Sequence, residues 1–144
     1  MIDAALRLDD VACVRGGRML FRGVYLTLAP GNGAMLTGPN GVGKSSLLRL
    51  CAGLLPAFTG SVARSGGVAL CDEKLALDSD ATLHKALSFW AAIDKADPAQ
   101  VDAAIDVMAL GPLACVPVRM LSTGQRKRAM LARTIASGAA IWLL

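Results

Sequence analysis

The chain has a single histidine and a single tyrosine, only 4 % of its 144 residues are aromatic, and its four cysteines never form a C-x-x-C pair. The scarcity of aromatics argues against a base-stacking nucleic-acid platform. Isolated cysteines exclude a disulfide framework or a thiolate zinc site and predict buried, reduced thiols at Cys13, Cys51, Cys71 and Cys115. Hydrophobic residues make up 54 % of the chain, yet they are mostly Ala, Leu and Val interrupted by charges. No run approaches the roughly 18 apolar residues of a membrane span. At the N-terminus Asp3 stands where a secretory signal would carry basic residues, so a cytoplasmic protein is expected.

Basic residues exceed acidic ones, 15 against 11. Much of the excess lies in Arg126-Lys127-Arg128, with Arg119 and Arg133 nearby. Such a cluster reads either as a solvated helix face or as a partner-facing patch.

Strand and helix signals alternate along the chain. Residues 6–14 and 24–28 are aliphatic and β-branched and read as antiparallel strands; the second closes in Ala29-Pro30-Gly31-Asn32-Gly33, a turn signal. Residues 34–37 read as a short strand entering a glycine loop, and residues 45–52 as a helix that Gly53 ends. Further strands are expected at 61–64 and 68–71. Helices are expected at 82–93 and at 97–110, the latter with Asp97 and Gln100 as a capping box. A last helix is expected over 126–136, then an apolar strand over 141–144. This alternation predicts an α/β fold with N-terminal antiparallel strands, a central parallel sheet and a small helical insertion. Residues 1–71 read as the core, 72–120 as the helical subdomain and 121–144 as a helix and strand completing one domain.

Two motifs carry chemistry. Gly38-Pro39-Asn40-Gly41-Val42-Gly43-Lys44-Ser45 fits G-x-x-x-x-G-K-[ST], a P-loop. Its glycines let successive backbone N–H groups turn inward at a helix N-terminus and cradle phosphate. Lys44 supplies a point charge to the β- and γ-phosphates, Ser45 a hydroxyl to Mg²⁺, and Ser46 a further hydroxyl near the α-phosphate. The second motif is Leu121-Ser122-Thr123-Gly124-Gln125 before Arg126-Lys127-Arg128. Ser122 and Gln125 have capping-box spacing, and the basic residues crowd first turns where the helix dipole disfavours them unless the helix faces an anion.

A P-loop followed by Leu-Ser-x-Gly-Gln and a basic run resembles the ATP-binding cassette family of transporters, and within it the ATP-binding subunits of haem exporters for cytochrome c maturation. The P-loop helix, Ala52-Gly53-Leu54-Leu55-Pro56, Phe89-Trp90 and the second motif carry the likeness. The resemblance implies an ATPase using ATP and Mg²⁺, in a homodimer where Leu121 to Gln125 of one subunit complete the site on the P-loop of the other. It further implies integral membrane partners, no direct nucleic-acid partner, and a peripheral place on the cytoplasmic face of the bacterial inner membrane.

Three features depart from that pattern. The family's Walker B strand ends in Asp and Glu, with a switch histidine later; Ile141-Trp142-Leu143-Leu144 resembles the strand, and no acid or histidine follows. A partial sequence is therefore expected, in which no residue is assigned as catalytic, ATP hydrolysis belongs to the full-length family member and Leu143 and Leu144 lack cover. His84 reads as a helix-surface residue. The Q-loop position falls on Asp72 and Glu73, which would act through magnesium or its water or form a solvated acidic loop. Where the family stacks an aromatic ring on adenine the chain has Arg15, whose guanidinium can stack on a base.

Overall fold

The computed structural model describes residues 5–71 and 76–144. The chain folds as two compact units, Met1–Leu70 with Ala140–Leu143, and Cys71–Ala139.

The first unit is built on β1 (Ala5–Arg15), whose Leu6 and Leu8 point inward by the two-residue period of a strand. Asp9 and Asp10 interrupt the alternation, and the register slips between Leu8 and Val11 before Val11 and Cys13 return to the interior. A two-residue turn at Gly16 and Gly17, both with positive φ, joins β1 to β2 (Arg18–Leu28) and sets Arg15 opposite Arg18. β3 (Thr59–Ser65) pairs with the other edge of β1, giving an antiparallel sheet of order β2-β1-β3. The helix α1 (Lys44–Ala52) buries Leu50 and Cys51 in the core with Leu6, Leu8, Val11 and Cys13. β4 (Val68–Leu70) and β5 (Ile141–Leu143) form a parallel pair, so the parallel component of the fold is present with two strands.

Residues 34–37 correct the strand expectation. They join no ladder among the described residues, and Met35 is 89 % exposed. Apolar sequence alone does not make a strand; a neighbour must accept its hydrogen bonds, and β5 is paired to β4 instead. Leu143 also departs from expectation: it is buried, whereas Trp142 and Leu144 are exposed.

The second unit packs α2 (Leu83–Ile93), α3 (Ala99–Val107) and α4 (Thr123–Ala136) around Leu83, Leu87, Val101, Ala104, Leu110 and Ala129. Thr82 caps α2 by accepting from the Lys85 amide at 3.4 Å. At α3 the expected capping box is replaced by a shorter cap, in which Asp97 accepts from the Ala99 amide at 2.9 Å. The Gln100 side chain lies instead against Gly138, where an added Cβ would stand 3.0 Å from its Oε1. Two 3₁₀ turns, Gly111–Leu113 and Val118–Met120, carry the chain to α4. His84 is on the surface, its Nε2 3.0 Å from Asp102 Oδ1 and its Nδ1 3.4 Å from Ser88 Oγ, so it ties α2 to α3.

Candidate functional site

The loop of residues 38–43 wraps onto the start of α1. Gly43 is the N-cap, with φ 111° and no side-chain cap. A Cβ there would come within 3.0 Å of Phe21 Cδ1 and 3.3 Å of Leu20 Cβ, so close packing on β2 and positive φ both demand glycine. The first turn of α1 holds no acidic residue. Its amides are therefore open to an anion, with the positive end of the helix dipole behind them.

The Lys44 ammonium folds over this loop. Nζ donates to the carbonyl oxygen of Gly38 and, at 2.8 Å, to that of Pro39. An ammonium has three donors, so these two bonds fix its position and leave the third for a phosphate oxygen. Ser45 is exposed on the first turn and Ser46 is half-buried beside it. Asn40, Gly41 and Val42 form the exposed tip, where the Val42 amide bonds the Pro39 carbonyl at 3.4 Å. The arrangement can hold a chain of phosphates, with one serine hydroxyl accessible to an oxygen-seeking cation.

The second motif forms a complete capping box. Ser122 Oγ accepts from the Gln125 amide at 3.2 Å, and Gln125 Oε1 accepts from the Ser122 amide at 2.8 Å. Leu121 is buried and anchors the turn, while Ser122, Thr123 and Gly124 are exposed. The serine hydroxyl still has its own proton to donate, and the amides of Thr123 and Gly124 stand beside it at the start of a 14-residue helix. A second anion-accepting helix end results.

The basic residues behind this motif do not converge on that end. Arg126 Nη2 donates to Arg119 O at 3.0 Å, and Arg128 Nη1 to Met108 O and Ala109 O at 3.2 and 3.3 Å, closing carbonyls after α3. Arg119 pairs with Asp80 at 2.7 Å, and the Arg133 guanidinium lies 4.0 Å over the Trp90 ring. Arg128 and Arg133 thus spend their charge on tertiary contacts, whereas Arg119, Arg126 and Lys127 are exposed, as on a solvated face.

Arg15 lies exposed at the tip of the β1–β2 hairpin. Asp72 and Glu73 lie outside the described residues. Of the cysteines, Cys13 and Cys51 are buried as expected, Cys71 is half-buried and Cys115 is exposed. Burial pushes the Cys51 thiol up from its ordinary value, with the charge of Arg64 acting in the opposite direction. Two contributors had no sequence signal: Phe21, which seats Gly43, and Arg64, which reaches the far end of α1. Both depend on strand pairing between distant segments.

Residues 21–144 match the ABC transporter family. The chain is 57 % identical to the cytochrome c biogenesis ATP-binding export protein CcmA of Sphingopyxis alaskensis, over 96 % of this chain and 72 % of that protein. It is 51 % identical to the protein of the same name from Novosphingobium aromaticivorans, over 100 % of this chain and 73 % of the relative. Among solved structures it superposes on cbiO1 of Clostridium perfringens, part of the ABC transporter complex cbiONQ, with TM-score 0.77 and 23 % identity, covering 94 % of this chain and 62 % of the other. That likeness shows the fold. ABC ATP-binding subunits work with membrane transporter subunits, and no helix among the described residues is long and apolar enough to cross a membrane. The chain thus belongs to the ABC transporter family of ATP-binding proteins, in its CcmA group.

Proposed function

We propose that this chain is the ATP-binding, energy-coupling subunit of an ABC exporter that moves haem or a related substrate for cytochrome c biogenesis. The observation that carries the reading is the P-loop as folded, with Lys44 held over uncapped α1 amides, in a chain whose relatives are named as cytochrome c biogenesis export proteins.

In this reading the α1 amides and Lys44 bind the β- and γ-phosphates, and Arg15 stacks on the base. Ser45 would hold Mg²⁺, which supplies charge neutralisation to the phosphate oxygens. Its single exposed hydroxyl suits an ion that takes one or two protein ligands and keeps its waters. Ser122, Gly124 and Gln125 present their free donors to nucleotide on a second copy, so that ATP joins two subunits. Asp72 and Glu73, at the Q-loop position of the sequence, would act on that nucleotide through magnesium or its water. Within that unit, a cavity of about 470 Å³ lined by Ala76, Leu77, Phe89 and Trp90 offers a seat for a membrane subunit. The dimer would sit peripherally on the cytoplasmic face of the inner membrane. Residues 1–144 are expected to bind MgATP, whereas hydrolysis, which also needs acids that polarise water, belongs to the full-length family member.

Titration calorimetry of MgATP against the wild-type chain and Lys44→Ala tests the binding claim. Saturable binding lost in the variant supports it; equal heats in both sink it. Copurification with the membrane subunit of a haem exporter, set against another exporter's, tests the transport assignment.

A further inference from the structure

The P-loop helix crosses the three-stranded sheet and is held at both ends. At its N-terminus Gly43 rests on Phe21 of β2. At its C-terminus Arg64 of β3 reaches up, and Nη1 donates to Leu50 O at 3.3 Å and Cys51 O at 3.1 Å. β2 and β3 flank β1 on opposite sides. They lie two strand spacings apart, about 10 Å, a gap bridged by the nine residues of α1, at about 1.5 Å each.

The C-terminal end itself closes in a Schellman motif. The Leu54 amide bonds Arg49 O at 2.9 Å and the Gly53 amide bonds Leu50 O at 3.1 Å, with Gly53 at φ 80°. The Cys51 carbonyl is left over, and Arg64 takes it. A Cβ on Gly53 would stand 3.0 Å from Arg64 Nη1 and 3.1 Å from its Cζ, so the bare glycine lets the guanidinium lie flat across the helix end. A cation is thereby fixed at the negative pole of the helix whose positive pole forms the phosphate cradle.

We propose that Arg64 is a positioning residue for nucleotide binding: its charge, anchored on β3 at the C-terminal pole of α1, strengthens the hold of the N-terminal pole on phosphate. Arg64 touches no phosphate; it acts through the helix. The proposal rests on the nucleotide-binding reading above.

The test measures MgATP affinity and Tm at low salt for the wild-type chain, Arg64→Lys, Arg64→Gln and Arg64→Ala. Lysine keeps the charge and loses the planar fork, whereas glutamine can still donate a hydrogen bond and loses the charge. The expected result is a Kd raised about 2- to 5-fold in the Gln and Ala variants and restored to nearly the wild-type value by Lys. Because Lys and Gln both disturb the fork, a purely structural role would lower Tm and affinity in both alike, and that outcome overturns the proposal. Wild-type affinity in Arg64→Gln overturns it as well. A wild-type chain that binds no MgATP removes the nucleotide reading and this proposal together, a failure distinct from the other two.

Discussion

Phe21 lies so close beneath Gly43 that a Cβ carbon on the glycine would stand 3.0 Å from the ring. The aromatic ring of an edge strand thus sets the height at which the phosphate loop enters its helix. Gly43→Ala forces both a shift of the ring and a side chain at φ 111°, a strain of about 1–3 kcal/mol. A Tm lowered by several degrees and a MgATP affinity reduced at least about tenfold are expected from thermal melts and calorimetry. Phe21→Leu, which relieves the contact, should recover part of the stability in the double variant.

In the proposed function Lys44 combines two duties, because the ammonium it would offer to phosphate also bridges the carbonyls of Gly38 and Pro39. Lys44→Ala removes the charge and both bridges. A loss of about 1.5–3 kcal/mol in MgATP binding is expected, roughly 10- to 150-fold in Kd. Proteolysis of the ligand-free chain should also cut faster around residues 38–43, since the loop has lost its internal clasp.

The capping box at Ser122 and Gln125 stabilises α4 whether or not nucleotide is present. Ser122→Ala should cost about 0.5–2 kcal/mol in urea unfolding of the nucleotide-free chain. Ser122→Asp retains an acceptor for the Gln125 amide and should unfold much as wild type does. It replaces a donor with a negative charge, however, and should abolish nucleotide-induced dimerisation in light scattering. Dimerisation intact in Ser122→Asp would rule out the trans site.

Thiol chemistry should separate the four cysteines. Cys115 is exposed and should be alkylated first, while Cys13 and Cys51 require opening of the core. For Cys51, burial raises the folded-state value above the unfolded one, so the folded state keeps its proton longer. Its contribution to stability is complete below about pH 9 and declines as pH rises through the folded value. Mass spectrometry after timed alkylation should show Cys51 labelling that accelerates with pH or urea, and Cys51→Ser should flatten the alkaline fall in stability.

Arg133 over Trp90 couples α4 to α2, and the indole Nε1 donates to Ala76 O at 2.7 Å. Arg133→Ala should cost about 0.5–2 kcal/mol and change the Trp90 emission, measured in a Trp142→Phe background. Arg133→Lys should restore part of the stability, because an ammonium keeps the charge without the stacked plane.

Features decided within a few residues were legible in the sequence. Gly53 ends α1, Ser122 and Gln125 close their box, and the P-loop spacing announces a cradle whose backbone has the positive φ angles it requires at Gly38, Gly41 and Gly43. Features decided between distant segments were not. Residues 34–37 have a strand's composition, but a ladder depends on which neighbour stands alongside. Arg126 and Arg128 look like phosphate ligands until the carbonyls of Arg119, Met108 and Ala109 come within reach, and those positions depend on the packing of the second unit. Gln100 has capping-box spacing, yet its side chain turns to Gly138, nearly forty residues on.

The parallel pairing of β4 with β5 has a consequence for the order of folding. The β1–β2 hairpin closes over two glycines and can form within microseconds. The β4–β5 ladder joins Val68 to Ile141 and Leu70 to Leu143, and the whole helical unit is its crossover. No tight turn can replace that connection, because parallel strands need a crossover of a dozen residues or more. The hairpin is therefore an early event, whereas Ile141 and Leu143 enter the core only after the helical unit has shortened the search, which leaves the core of the nucleotide-binding unit the last part of the chain to be completed.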